Sequence, residues 1–270
     1  LQTARLSASP NQFHYTWQQQ LNCCPYPITF LFDDMKNTKA TILLILLSAF
    51  SINAFAQKKS KKDDLITIKT DQGSMTVILF DETPKHKANF TKLAQEKFYD
   101  GLLFHRVIEF FMIQGGDPES RNADSDKMLG KGDNGYKIAA EFNPKLFHQK
   151  GALAAARDNN PAKESSGCQF YIVQGKKWSK ADLDKQAARA ARKITDEQKS
   201  VYETIGGTPH LDGAYTVFGQ VISGLDVIDK ITSYPRDDRD RPEKNIAMKV
   251  SVKKMKKKKI TRKFGWNYAS

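Results

Sequence analysis

Cysteine is scarce in this chain: three in 270 residues, two of them adjacent at Cys23 and Cys24. Only Cys168 lies beyond residue 56, so no disulfide can form within the later part of the chain, whatever the redox compartment. Cys168 has no histidine close in sequence and precedes the strand-like Gln169-Phe170-Tyr171-Ile172, so it reads as a small buried filler rather than a nucleophile. Metal-ligand spacings such as H-E-x-x-H are missing, and so is the G-x-S-x-G elbow of serine hydrolases. Neither a metal nor a cofactor is therefore expected. Gly130-Lys131-Gly132-Asp133-Asn134-Gly135 fits G-x-G-x-x-G, but no convincing strand precedes it and no clear helix follows. It reads as a glycine-rich loop and not as a dinucleotide site. No apolar run reaches the roughly 20 residues that span a bilayer, and no internal repeat is visible.

The composition is otherwise that of a globular protein, with 40% hydrophobic and 27% charged residues. Positions 1–34 begin with Leu and show no periodicity, and they read as an extension outside the natural frame. From Met35 the chain has the parts of a secretory signal peptide: Lys36 and Lys39, then the apolar stretch 40–50, then Ala54-Phe55-Ala56 as a small-x-small cleavage site. Cleavage after Ala56, with a periplasmic or secreted destination, is the expectation. Residues 57–64 would form a basic linker, 65–252 the folded domain and 253–270 a basic tail. Lys and Arg outnumber Asp and Glu by 43 to 30, a formal charge of +13, with basic runs at 58–62 and 253–263. Such runs are solvated or make weak contact with an anionic surface, and nucleic acid is not expected as a partner of an exported protein.

Within 65–252, Ile66 and Ile68 alternate with polar residues, 71–74 makes a turn, and Met75, Val77 and Leu79 alternate with Thr76, Ile78 and Phe80, which predicts a β-hairpin. Thr83-Pro84 marks a helix start, followed by Phe90, Leu93, Ala94 and Phe98 at helical spacing. Short β-type runs at 103–108, 111–114, 151–156, 169–173, 215–221 and 247–252 bring the expected strands to eight. Leu225, Ile228 and Ile231 share one face of a second helix. The pattern predicts a mainly β antiparallel barrel capped by two helices. The Lys- and Ala-rich stretch 176–207 contains Thr195-Asp196-Glu197-Gln198, a capping-box sequence, and closes with Gly206-Gly207, which predicts a helical insertion in a loop.

The stretch Phe104-His105-Arg106-Val107-Ile108-Glu109-Phe110-Phe111-Met112-Ile113-Gln114-Gly115-Gly116-Asp117 sets an arginine and a glutamine in apolar and aromatic company. Burying Arg without purpose is costly. Physics alone allows either an ion pair with an acid at a strand edge or a functional role. The run F-H-R-V-I-x-x-F-M-I-Q-G-G-D closely resembles the signature of the cyclophilins, which are peptidyl-prolyl cis/trans isomerases. Gly151 to Ala156, Ser166 to Ile172, Leu211-Asp212-Gly213 and Val217-Phe218-Gly219 follow in the family's order, and the loop from Gly130 to Phe142 is similar to its glycine-rich loop. The resemblance covers 65–252 and implies an eight-stranded antiparallel barrel closed by two helices.

Residue by residue, the resemblance implies Arg106 as the catalytic arginine and Gln114 as the glutamine that orients it. Phe111, Met112, Tyr171 and Leu211 would form the proline-ring pocket. Ala156 and Gln169 would line the peptide groove, where the backbone holds the substrate, and His105 would support its strand. Tyr171 stands where the family usually has Phe, His210 where it has a drug-contacting Trp, and Tyr215 where a rim His is common. Glu109-Phe110 replaces a common Pro-Gly turn. The implied substrates are proline-containing unfolded or exported polypeptides, handled by a monomer without cofactor or metal. A binding module that grips proline segments with little catalysis is the alternative, and the retained Arg106 and Gln114 count against it.

Overall fold

The computed structural model describes residues 60–268, so the expected extension, the signal peptide and the first part of the linker lie outside the described residues. The opening hairpin is β1 (Lys62–Thr70) and β2 (Gly73–Leu79), followed by α1 (Pro84–Gln95), β3 (Phe104–Ile108) and β4 (Met112–Gly115). Next come β5 (Lys137–Ile138), β6 (Ala152–Ala155), β7 (Ser165–Ser166) and β8 (Phe170–Val173), then α2 (Lys180–Arg189) and α3 (Asp196–Thr204). The chain finishes with β9 (Val217–Ser223), α4 (Leu225–Thr232), β10 (Lys249–Lys256) and α5 (Lys257–Phe264).

Eight strands form one antiparallel sheet in the order β10-β1-β2-β9-β6-β8-β4-β3, as the sequence pattern predicts, while β5 and β7 pair separately. The two edges of the large sheet meet through backbone bonds. Gly101 N–H donates to Met248 O, Met248 N–H to Leu102 O and Phe104 N–H to Ile246 O, with Leu103 bridged to Ala247. Joining the edges satisfies backbone groups that an open sheet would leave unpaired. The inward residues Ile66, Ile68, Met75, Val77 and Leu79 enter a buried core with Phe90, Tyr99, Phe104, Phe170 and Phe218. Phe170 meets Phe90, Tyr99 and Phe104 edge-on, the arrangement that aromatic quadrupoles favour.

Helix α1 packs against β9 and β10, and α4 against β2, β3 and β4. Pro84 stands at the start of α1 as expected, but the Thr83 side chain does not cap it. Glu141, from a loop 55 positions on from His86, accepts from the backbone N–H groups of Lys85 and His86, each at 3.0 Å, and from His86 Nδ1 at 2.7 Å. A carboxylate there neutralises the partial positive charge of the helix start. At the other end Phe98 N–H reaches Leu93 O and Lys97 N–H reaches Ala94 O, with Lys97 at φ 58°, a Schellman closure. Phe98 therefore follows the helix rather than belonging to it, yet still packs against the core. The insertion forms two helices, and Thr195 and Gln198 make the predicted capping box on α3.

The sequence placed 253–270 in a basic tail and counted two helices outside the insertion, and the structure corrects both. Residues 253–256 continue β10, pairing with β1 from Leu65 back to Lys62, and 257–264 form α5. The reason lies on the outer face of the barrel. Leu65 and Ile78 point away from the main core, and the fully buried Ile260 covers them together with Met255, Phe264, Trp266 and Tyr268. Phe80 stacks on Trp266 at 6.2 Å. The lysines of α5 ride on the solvent side of a helix whose apolar stripe has somewhere to go.

Candidate active site

Arg106 on β3 stands opposite Gln114 on β4, because the hairpin register pairs the two directly. Gln114 Oε1 accepts from Arg106 Nη1 at 3.5 Å, and its Nε2 donates to Gln169 Oε1 at 3.1 Å. Gln169 Nε2 in turn donates to the carbonyls of Gly130 and Gly132, at 3.1 and 2.7 Å. A relay of two amides thus ties the arginine to the glycine-rich loop. The carboxylate of Asp117 receives the N–H groups of Gly130 and Gly132 and fixes that loop from below. At Gly116, with φ +91°, a Cβ would collide with the Cys168 carbonyl, so glycine is required there. On its other side Arg106 Nε lies 3.6 Å from Asp240 Oδ2. Val107 N–H bonds to the Asp240 carbonyl, which fixes that loop against β3. The acid at a strand edge and the functional role are therefore not exclusive: Asp240 and Gln114 hold opposite sides of a guanidinium whose side chain is 42% exposed.

Arg106 borders a cavity of about 120 Å³ lined by Phe111, Met112, Gln114, Ala156, Tyr171, Leu211 and Tyr215, which brings together eight of the ten residues singled out in the sequence. Arg157 joins them, its guanidinium 4.7 Å above the Tyr215 ring. His210 lies outside this lining and stacks on Phe111 at 5.6 Å. Gln169 lines a neighbouring cavity of about 480 Å³, which shares Gln114, Ala156 and Arg157 with the first. One expectation changes. Ala156 contributes its side chain, but its backbone N–H is taken by Gln169 O and its carbonyl by Ser166 N–H. The backbone edge open to an extended peptide lies one residue on, at Arg157, whose N–H and C=O make no hydrogen bond among the described residues.

Beneath the pocket runs a buried polar network. The Tyr171 hydroxyl lies 2.9 Å from His148 Nε2, and His148 Nδ1 lies 2.7 Å from Asp212 Oδ1. Asp212 Oδ2 accepts from Tyr202 O–H at 2.6 Å and Arg192 Nη2 at 2.5 Å. Asp212 is acceptor-only, so Nδ1 carries the imidazole proton and Nε2 accepts from Tyr171. Burial alone would raise the Asp212 pKa, but the bonds from His148 and Tyr202 outweigh it and hold the carboxyl below the usual value. Burial pushes the Tyr171 hydroxyl well above 10, so it stays protonated and donates. Burial also lowers His105 to about 4, which leaves that imidazole neutral and proton transfer by it unneeded. Cys168 is buried and its thiol is pushed up to about 11, in keeping with the filler role read from the sequence.

The family profile described as cyclophilin type peptidyl-prolyl cis-trans isomerase/CLD matches residues 65–252. The chain belongs to the cyclophilin family. Among curated relatives, a putative bifunctional phosphatase/peptidyl-prolyl cis-trans isomerase of Streptococcus pyogenes is 38% identical over 68% of this chain and 37% of its own length. A peptidyl-prolyl cis-trans isomerase-like 2 of Rhizopus delemar is 36% identical over 72% of this chain and 30% of its own. The chain thus spans about a third of the length of these two. A putative peptidyl-prolyl cis-trans isomerase of Staphylococcus aureus is 36% identical, with 88% of its length covered. Among solved structures, a Cryptosporidium parvum cyclophilin type isomerase, determined in the presence of the dipeptide Ala-Pro, aligns with a TM-score of 0.53 at 24% identity, over 70% of this chain and 98% of its own.

Several site residues of this cyclophilin gave no sequence signal for their role. Arg157, His148 and Asp240 come from three separate loops, and Asp212, read in the sequence only as part of the Leu211-Asp212-Gly213 loop, from a fourth; the closed sheet brings these loops together. The one available hint was Tyr171 itself: a hydroxyl in an otherwise apolar strand needs a buried partner.

Proposed function

We propose that this chain accelerates cis/trans isomerisation of X-Pro bonds in polypeptide segments. The observation that carries the proposal is Arg106 at the rim of the apolar cavity, held by Gln114 and Asp240, with Nη2 making no hydrogen bond among the described residues. Peptide rotation is slow because C–N conjugation sets a barrier of about 18–20 kcal/mol. In the twisted transition state the prolyl nitrogen loses conjugation and gains a lone pair. A fixed N–H donor aimed at that nitrogen binds the twisted state better than the planar one, which lowers the barrier. The relay through Gln114 and Gln169 keeps the guanidinium in place, so little reorganisation accompanies the rotation. Phe111, Met112, Tyr171 and Leu211 would grip the proline ring, while the backbone of Arg157 would pair with the extended chain. One side of the bond is then fixed as the other turns. No proton transfer or covalent intermediate is needed.

The dipeptide present with the Cryptosporidium protein makes Ala-Pro a fitting probe. NMR exchange on an Ala-Pro peptide with the full chain should show fast isomerisation, lost in Arg106→Ala while circular dichroism shows the fold retained. No acceleration by well-folded wild type would leave only a proline-binding module. We also infer that the clients are exported polypeptides, a reading supported by the signal-peptide pattern at 35–56. A natural N-terminus at Gln57 would support export, and retention of residues 1–56 would refute it. Weak contact with anionic surfaces would use Lys258, Lys259, Arg262 and Lys263 of α5, and would disappear from vesicle sedimentation when these are replaced by Gln.

A further inference from the structure

A second cavity, of about 450 Å³, adjoins Arg106 and is lined by six cationic side chains: Arg106, Lys127, Lys131, Arg157, Arg239 and Arg241. No carboxylate of the described residues lines it. The cavity beside Gln169, by contrast, carries Asp133 and Asp158 among its walls. Three of the six cations have carboxylate partners behind them: Asp240 for Arg106, Glu119 for Lys127 at 3.5 Å and Asp237 for Arg239 at 3.2 Å. Lys131, Arg157 and Arg241 have none among the described residues.

Arg241 is the informative member. It is 5% exposed, and its guanidinium donates to the carbonyls of Ala123, Asp124, Ser125 and Lys127 and to Asn245 Oδ1. Those bonds occupy its Nη1 and Nη2 groups but leave its charge uncompensated, and a buried unpaired charge is costly. His105, also lining the cavity, is 4% exposed, and among the described residues neither of its ring nitrogens meets a partner at hydrogen-bond geometry. A neutral imidazole always has one N–H to donate, so this wall can add a donor to a surrounding positive field. Burial, an unbonded donor and excess positive charge all converge on one space, and a negatively charged group of few atoms would relieve all three.

The occupant is constrained by position. Arg106, Gln114 and Arg157 line both this cavity and the proline pocket, so the two adjoin. At about 3.3–3.6 Å per extended residue, a side chain entering here belongs to a residue within a few positions of the proline. We infer that this cavity is an anion subsite that takes the carboxylate of an Asp or Glu close to the proline in the substrate segment. This rests on the isomerase reading above and names the class of segment that it favours.

The test is NMR exchange with the full chain on peptides sharing an Ala-Pro core, with Glu, Gln or Lys placed in turn at each nearby position on either side. At low salt, Glu should exceed Gln by about tenfold in kcat/KM at one or two positions only, the gain of roughly one charge-assisted hydrogen bond, and Lys should fall below Gln there. Near-molar salt and the variants Lys131→Gln and Arg239→Gln should each pull the Glu-to-Gln ratio toward one. An equal Glu advantage at every position would mean long-range steering by the net positive charge and would overturn the subsite, as would no advantage at all. A phosphoserine arm distinguishes the two sources of anion: Glu equal or superior supports a carboxylate site, and a preference confined to phosphoserine overturns it. Should the Gln peptides not be accelerated at any position, the isomerase reading fails by itself. Peptide affinity by titration then decides the subsite, with a position-dependent Glu preference supporting it and equal affinities overturning it.

Discussion

Replacing Tyr171 by Phe removes one oxygen from the floor of the proline pocket and restores the residue usual in the family. The ring is 5% exposed and its hydroxyl is, among the described residues, the only partner of His148 Nε2, in a side chain that is itself fully buried. The substitution removes a bond and strands an acceptor away from water, which costs about 1–3 kcal/mol, more than the net value of the bond alone. For a domain of this size that corresponds to a fall in Tm of roughly 3–9 °C. The aromatic wall survives, so exchange on an Ala-Pro peptide should fall by less than about tenfold, or 1.4 kcal/mol in the barrier. Denaturant and thermal unfolding of Tyr171→Phe, Asp212→Asn and the double variant give a cycle. A coupling of about 0.5–3 kcal/mol is expected, because the His148 ring links both partners. Additive effects, or a Tm within about 1 °C of wild type for Tyr171→Phe, would refute the network as the reason for the tyrosine.

Stability should fall as pH drops from 6.5 toward 4. His105 is held near 4 in the folded chain by burial, so the unfolded chain binds the extra proton first across that window, and urea midpoints should show a flatter slope in His105→Gln. Below that window Glu141 adds a second loss: burial would raise its pKa, but the bonds from His86 and Lys85 hold it low, so its stabilisation is present above the ordinary carboxylate value and vanishes as pH falls through the lowered one. Glu141→Gln should remove that acid limb in the same titration. Ile260→Ala should cost about 2–5 kcal/mol in chemical unfolding although it lies in the basic C-terminal stretch; a neutral result would show that α5 does not seal the outer face. Cys168 should resist thiol reagents at pH 8 in the folded chain and react on unfolding, since its thiol stays protonated to about 11.

Local pattern sufficed for much of this molecule. Alternation in 65–80 predicted the hairpin, Thr83-Pro84 the start of α1, and Thr195 with Gln198 the capping box, because each depends on residues within a turn or two of one another. Arg106, Gln114, Phe111 and Met112 were legible because the long motif around them is carried by one β-hairpin, whose register places arginine against glutamine, while Tyr171 and Leu211 were legible only through the further segments that resemble the family. Three-dimensional closure decided the rest. Ile78 alternates in sequence with the inward Met75, Val77 and Leu79, and only α5, returning to cover it together with Leu65, accounts for an apolar side chain on the outer face. Glu141 caps a helix that its sequence position does not suggest, and Asp240 reaches Arg106 from a loop 134 positions downstream, a distance in sequence that no local rule bridges. Periodicity reports which face of an element is apolar. It does not report which distant charge or hydroxyl will satisfy a buried polar group, since that partner is chosen by the joined edges of the sheet and the loops they bring together.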